Sequence, residues 1–158
     1  MSNYNEIKNK MKKIENLLNE MNMDYNSIDL KISANEKIPV IMIKGEFANK
    51  EYKVFFFYDS YEGFGEWITA RCPVYEITGL NEKKRNRVFT ICLQLSDLIP
   101  ETTYSICNDL IYVEGDMPLD LSIDSFDFEL QGLDLGVSNF IENMEKFGFK
   151  IPDQSKLI

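Results

Sequence analysis

The sequence predicts an α+β domain, an antiparallel sheet packed by amphipathic helices in the order α-ββββ-α-ββ-α. Three observations lead there. Three stretches repeat their apolar residues at the three-four spacing of a helix, and the segments between them alternate or run apolar like strands. The four central strand-like segments are joined by connections too short for parallel crossovers.

The first helix is expected from Tyr4 to Met21, with Tyr4, Ile7, Met11, Ile14, Leu18 and Met21 on one seam and Ser2 or Asn3 as its cap. Ile28, Leu30 and Ile32 alternate with polar neighbours and predict a half-buried strand. Ile38 to Lys44 is the next strand, with Pro39 near its start, where a missing amide does least harm. Ala48-Asn49-Lys50 turns the chain into Glu51 to Tyr58, and Asp59 to Gly65 reads as a loop. The fourth strand runs from Glu66 to Ile77, interrupted near Pro73. A second helix is expected from about Asn81 to Leu98, with Val88, Ile91, Cys92, Leu95 and Leu98 on its apolar face and Pro100 closing it. Thr103 to Cys107 and Leu110 to Glu114 form a hairpin across Asn108-Asp109, a pair suited to positive backbone angles. Gly115 to Pro118 is expected to leave the sheet. Asp120 or Ser122 caps the third helix, whose apolar face runs from Phe126 to Phe147, with Gly148 at its C-terminal end.

A chain of 158 residues with 44% hydrophobic residues supports a real core, so residues 1–152 read as one domain and 153–158 as a loose tail. The net charge of -9 repels phosphate backbones and anionic lipid, which argues against nucleic-acid and membrane-surface roles. Cys72, Cys92 and Cys107 lie far apart among apolar neighbours and read as small buried hydrophobes of a reducing compartment. Met1 to Glu6 lacks the apolar run of a signal peptide, and no stretch approaches the ~20 apolar residues of a membrane span. The expected location is therefore the cytoplasm.

The chain has no histidine, which excludes serine–histidine and cysteine–histidine nucleophile systems and removes the commonest general base. Glu62 with Glu66, and Asp124 with Asp127, are the acid pairs to consider, and both read as solvated surface. Gly63-Phe64-Gly65 has no strand-to-helix context for a phosphate loop. Asp120, Asp124, Asp127 and Glu129 lack calcium-loop spacing and supply favourable charge at a helix start. The expectation is a protein without catalytic residues, metal or cofactor. Lys83, Lys84, Arg85 and Arg87 form a basic run, read as a solvated face or as a contact for an acidic partner segment.

The strands carry more information. Val40-Ile41-Met42-Ile43 and Val54-Phe55-Phe56-Phe57-Tyr58 are apolar on both alternating faces, whereas an antiparallel sheet usually has one wet face. The second and third helices can cover one side; the first helix, a second subunit or a bound segment must cover the other. Trp67 and Arg71 share one face of the fourth strand, and both types are common at binding hot spots. Candidate partner-binding residues are Ile7, Met11, Ile14 and Leu18 of the helical seam and Phe55, Phe57, Trp67 and Arg71 of the sheet. A protein or peptide segment is the expected partner. The alternative is a small-molecule or metal-responsive sensor built from carboxylates and aromatics around Trp67.

The order of elements resembles that of the type III secretion chaperones and their YbjN-like relatives. The opening helix Tyr4 to Met21, the helix Asn81 to Leu98, the hairpin Thr103 to Glu114 and the Asp116-Met117-Pro118-Leu119 exit carry the resemblance. Tyr25 to Asn35, with its additional strand, departs from the simplest version of that fold. The resemblance implies a homodimer that holds extended, non-globular client segments through its first helix and sheet. For YbjN-like members it implies regulatory or stress-related roles. It brings no catalytic residues.

Overall fold

Short connections and alternating apolar residues give one six-stranded antiparallel sheet with strand order β1-β2-β3-β4-β6-β5. In chain order the elements are α1 (Tyr4–Glu20), β1 (Asn26–Ser33), β2 (Glu36–Phe47), β3 (Lys50–Tyr61) and β4 (Gly65–Glu76), followed by α2 (Glu82–Leu98), β5 (Thr103–Cys107), β6 (Leu110–Pro118) and α3 (Ile123–Lys146). The computed structural model describes residues 4–47, 49–99, 102–152 and 157. The expected caps Ser2 and Asn3, Pro100, Ala48 of the first turn, and the tail apart from Leu157 lie outside the described residues.

The α+β class and the element order agree with the sequence. The strands are longer than expected. β3 continues through Asp59 to Tyr61, and Gly65 already pairs with Tyr61. The chain does not leave the sheet at Gly115: β6 runs on to Pro118, with Gly115 opposite Ala70 and Met117, fully buried, opposite Ile68. The glycine had suggested a turn, but it sits where α3 crosses, with Leu133 carbons 3.9 Å from the place its Cβ would occupy. Pro39 lies inside β2, at a point before that strand's pairing with β3 begins at Ile41. The interruption expected near Pro73 is a register shift between Pro73 and Tyr75. Asn108 and Asp109 adopt φ of 51° and 61°, the mirror-image turn that matches strand twist.

All three helices pack on the same side of the sheet. Met11, Ile14, Leu17 and Leu18 of α1 join Ile41, Ile43, Val54 and Phe56 in one core with Ile68, Ala70, Val113 and Met117. Phe126 of α3 lies 5.8 Å from Phe56, and Tyr104 of β5 stacks on Phe140. Val88, Ile91, Cys92 and Leu95 of α2 complete the layer, while Leu98 is exposed. The core position after Leu95 passes instead to Ile99, the buried C-cap. Phe147, expected on the buried face of α3, is also exposed, because it follows the last helical residue as the chain turns at Gly148.

Two tethers fix the helices. Lys10 of α1 meets Glu66 of β4 at 2.7 Å, and the Tyr58 hydroxyl donates to the same carboxylate oxygen at 2.7 Å. Tyr4 and Ser27 add hydrogen bonds between α1 and β1, to Asp29 and Glu15. On the other flank, Thr102 donates to the Gly132 carbonyl and Tyr104 to that of Gly136. A Cβ on Gly136 would sit 2.6 Å from Thr102 Cγ2 and 2.9 Å from Val113 Cγ1.

Gly136→Ala is expected to destabilise the fold by about 1–3 kcal/mol in urea unfolding, although alanine is the better helix former, because overpacking outweighs propensity here. Lys10 first, then Tyr58, holds the Glu66 carboxyl below its ordinary range. A depressed carboxyl pKa stabilises the fold above the unfolded-state value, and that contribution is lost as pH falls through the folded-state value. Glu66→Gln should therefore flatten the loss of stability between about pH 6 and about pH 3, read from urea midpoints.

Candidate protein-binding face

With every helix on one side, the other side of the sheet has no helical cover. Strand alternation places Ile28 and Leu30 of β1, Ile38, Val40 and Met42 of β2, and Phe55 and Phe57 of β3 there. Register brings them together: Ile28 opposes Val40, and Met42 opposes Phe55. Val40 and Phe55 are buried, although no helix of the described residues lies over them. Leu30 is 37% exposed and Ile32, at the outer end of β1, 56%. The result is an apolar field over β1–β3 reaching the open backbone edge of β1.

Across β4 and β6 the same face turns polar. Arg71 pairs with Glu114 at 2.7 Å, and its guanidinium lies 5.7 Å from the Phe57 ring centre and 5.9 Å from that of Tyr112. Arg71 thus joins the two halves of the face, its charge held by Glu114 and its guanidinium near two aromatic rings. Next to it, the Thr69 hydroxyl donates to Asp116 at 2.8 Å and stands 3.3 Å from Asp59. A hydroxyl has one proton, so it fully satisfies one carboxylate at a time. Neither Asp59 nor Asp116 has a cation within ion-pair distance among the described residues. The face therefore runs from apolar to acidic.

The eight candidate residues divide between the two sides. Met11, Ile14 and Leu18 are buried in the protein's own core and Ile7 packs against it, so the seam of α1 faces inward. Phe55, Phe57, Trp67 and Arg71 share the helix-free face. Trp67 stands at its far end, opposite Asp59 and Pro118, its indole donating to the Phe64 carbonyl at 2.7 Å beside an open hollow of about 300 Å³. Sequence reading missed Val40, Met42, Tyr112, Thr69, Asp59 and Asp116. Their alternation was visible, but joining them needed the register between strands.

Neither acid pair forms a buried site: Glu62, Asp124 and Asp127 are exposed. Glu66 belongs to the helix side with Lys10, Glu62 is exposed at the hairpin tip, and Asp127 accepts from Gln131 along α3. Among the described residues no group of three or more acids or cysteines is placed to hold a metal ion. Cys72 and Cys92 are free and buried, and burial raises both thiols, that of Cys92 to about 12, so neither is a thiolate at neutral pH. Cys107 is free and exposed. No helix among the described residues is long and apolar enough to cross a membrane. No protein-family model and no curated protein matches this chain.

Because Arg71 is part exposed, its pairing with Glu114 should be modest. A double-mutant cycle of Arg71→Ala and Glu114→Ala, measured by urea unfolding, is expected to give a coupling of about 0.5–1 kcal/mol.

Proposed function

We propose that this protein is a binding module that seats an extended segment of a partner protein on its helix-free sheet face. One observation carries this reading: Ile28, Leu30, Ile38, Met42 and Phe57 form a continuous apolar field over which no helix or strand of the described residues packs. Apolar fields on one side of a sheet need cover, and all three helices lie on the other side.

The gradient across the face selects the occupant. A segment crossing from β1 toward β6 meets apolar side chains first and then Asp59 and Asp116, which lack a counter-cation among the described residues. That order suits apolar residues followed by lysine or arginine. The protein's net charge of -9 favours the same basic partner over long range. A second copy laid face to face is the rival occupant. It would bring Asp59, Glu114 and Asp116 against the same acidic surface, with Arg71 the one cation among the described residues of β4 and β6 to offset them. The resemblance to secretion chaperones and YbjN-like proteins supports client holding by a cytoplasmic homodimer. Buried free thiols at Cys72 and Cys92 fit a reducing compartment.

A fluorescein-labelled extended peptide of alternating valine and serine ending in two arginines tests the reading by fluorescence anisotropy. The native protein is expected to bind it, and Phe57→Lys to weaken binding about tenfold or more. Asp59→Asn with Asp116→Asn should weaken binding and reduce its salt dependence. Absence of binding, or equal binding by Phe57→Lys, would refute the proposal. A native dimer that Phe57→Lys converts to monomer in sedimentation velocity would give the face to a second copy and refute it too.

A further inference from the structure

The basic run of α2 is solvent-exposed at Lys83, Lys84 and Arg87, as expected, but it is not spread evenly. Arg85 turns away toward Asp109, at 3.8 Å. Lys83, Lys84 and Arg87 instead line a hollow of about 490 Å³ between the start of α2 and the end of α3, together with Thr90, Phe147 and Phe149. In a chain where 26 acids outnumber 17 bases, these three cations have no carboxylate within ion-pair distance among the described residues. Arg87 lies 4.7 Å from the Phe147 ring centre, which holds its guanidinium against an aromatic face. A guanidinium stacked in this way keeps its edge donors free for two oxygens of one anion.

The backbone around the hollow supports the same charge sign. Asn81 caps α2 by accepting from the Lys84 amide at 2.9 Å, leaving the amides of Glu82 and Lys83 without intrahelical acceptors. Their dipoles favour an anion nearby. Two features oppose it, the Glu82 carboxylate in the first turn and the carbonyl end of α3. The α3 end is largely closed, because the Phe149 amide donates to Met144 and that of Gly148 to Glu145. Three cations without an ion-pair partner among the described residues outweigh one exposed carboxylate. Phe147 and Phe149 give the hollow an apolar wall, and its volume falls within the roughly 300–1,000 Å³ of small-molecule sites.

We infer that this hollow binds a small phosphate-bearing molecule, with the phosphate on Arg87, Lys83 and Lys84 and any attached ring against Phe147 and Phe149. A long nucleic acid is a poor fit, because the patch is local and the rest of the chain is acidic. The site lies on the helix side of the sheet and is independent of the partner-binding reading.

Isothermal titration calorimetry at low salt with pyrophosphate, adenosine 5′-monophosphate and adenosine provides the test. Both phosphates are expected to bind and adenosine not. Equal affinity for the two would assign the site to the phosphate group alone; tighter binding of the monophosphate would add the ring to what is recognised. Arg87→Ala should lower affinity about tenfold or more and Arg87→Lys by less, since lysine keeps the charge without the fork. Lys12→Ala with Lys13→Ala, on α1, controls for net charge and should change affinity less than twofold. Circular dichroism confirms that each variant is folded. Failure of the native protein to bind either phosphate would overturn the inference, as would equal losses in Arg87→Ala and the α1 control. Binding of an acidic peptide in place of both phosphates would overturn it as well and make the hollow a protein contact.

Discussion

How closely α3 approaches the sheet governs much of this structure. Gly132 and Gly136 lie one helical turn apart and face Thr102, whose hydroxyl bonds the Gly132 carbonyl while Tyr104 bonds that of Gly136. No side chain larger than hydrogen fits at Gly136 without moving Thr102 or Val113. The close contact brings Phe126, Val137 and Phe140 down onto β3, β4 and β6 and sets the depth of the core. α1 packs on β2 and β3 on the same side, held to β4 by Lys10 and Glu66. Once all three helices share that side, the opposite one has no helix of the described residues for cover.

The helix-free face is therefore a consequence of packing geometry, and its composition makes it more than a solvated surface. A sheet with one wet side normally alternates apolar with polar residues. Here β2 and β3 keep apolar residues on both sides, and the polar groups gather on β4 and β6. Arg71 joins the two halves, contacting Phe57 and Tyr112 while paired to Glu114. The far side carries a separate basic hollow at the start of α2, whose cations lie well apart from the acids around Thr69 in the order of elements.

Much of the fold was legible because local signals agreed with one another. Helical spacing located all three helices, and Asn108-Asp109 located the hairpin. Gly115 misled because a glycine inside a strand looks like a turn until the helix crossing it is known. Leu98 and Phe147 misled because periodicity continues past the point where a helix gives up its buried face. The seam of α1 showed that the helix packs on something, but not on which side. Ile14 and Leu18 could have faced a partner or the protein's own sheet, and only the tertiary arrangement decides between them. Likewise Phe55 and Phe57 were found from one strand's pattern, whereas Val40, Thr69 and Asp116 depended on pairing between residues distant in sequence.

Along β3, consecutive residues belong to different environments. Phe56 is fully buried beneath α3, while Phe57 stands on the side without helices. Changing Phe56 disturbs the molecule's internal architecture, whereas changing Phe57 alters chiefly what the outside world encounters. Such odd-even separation lets the surface drift through many chemistries while the scaffold stays constant. Divergent descendants could then keep this shape with little common sequence on the variable side.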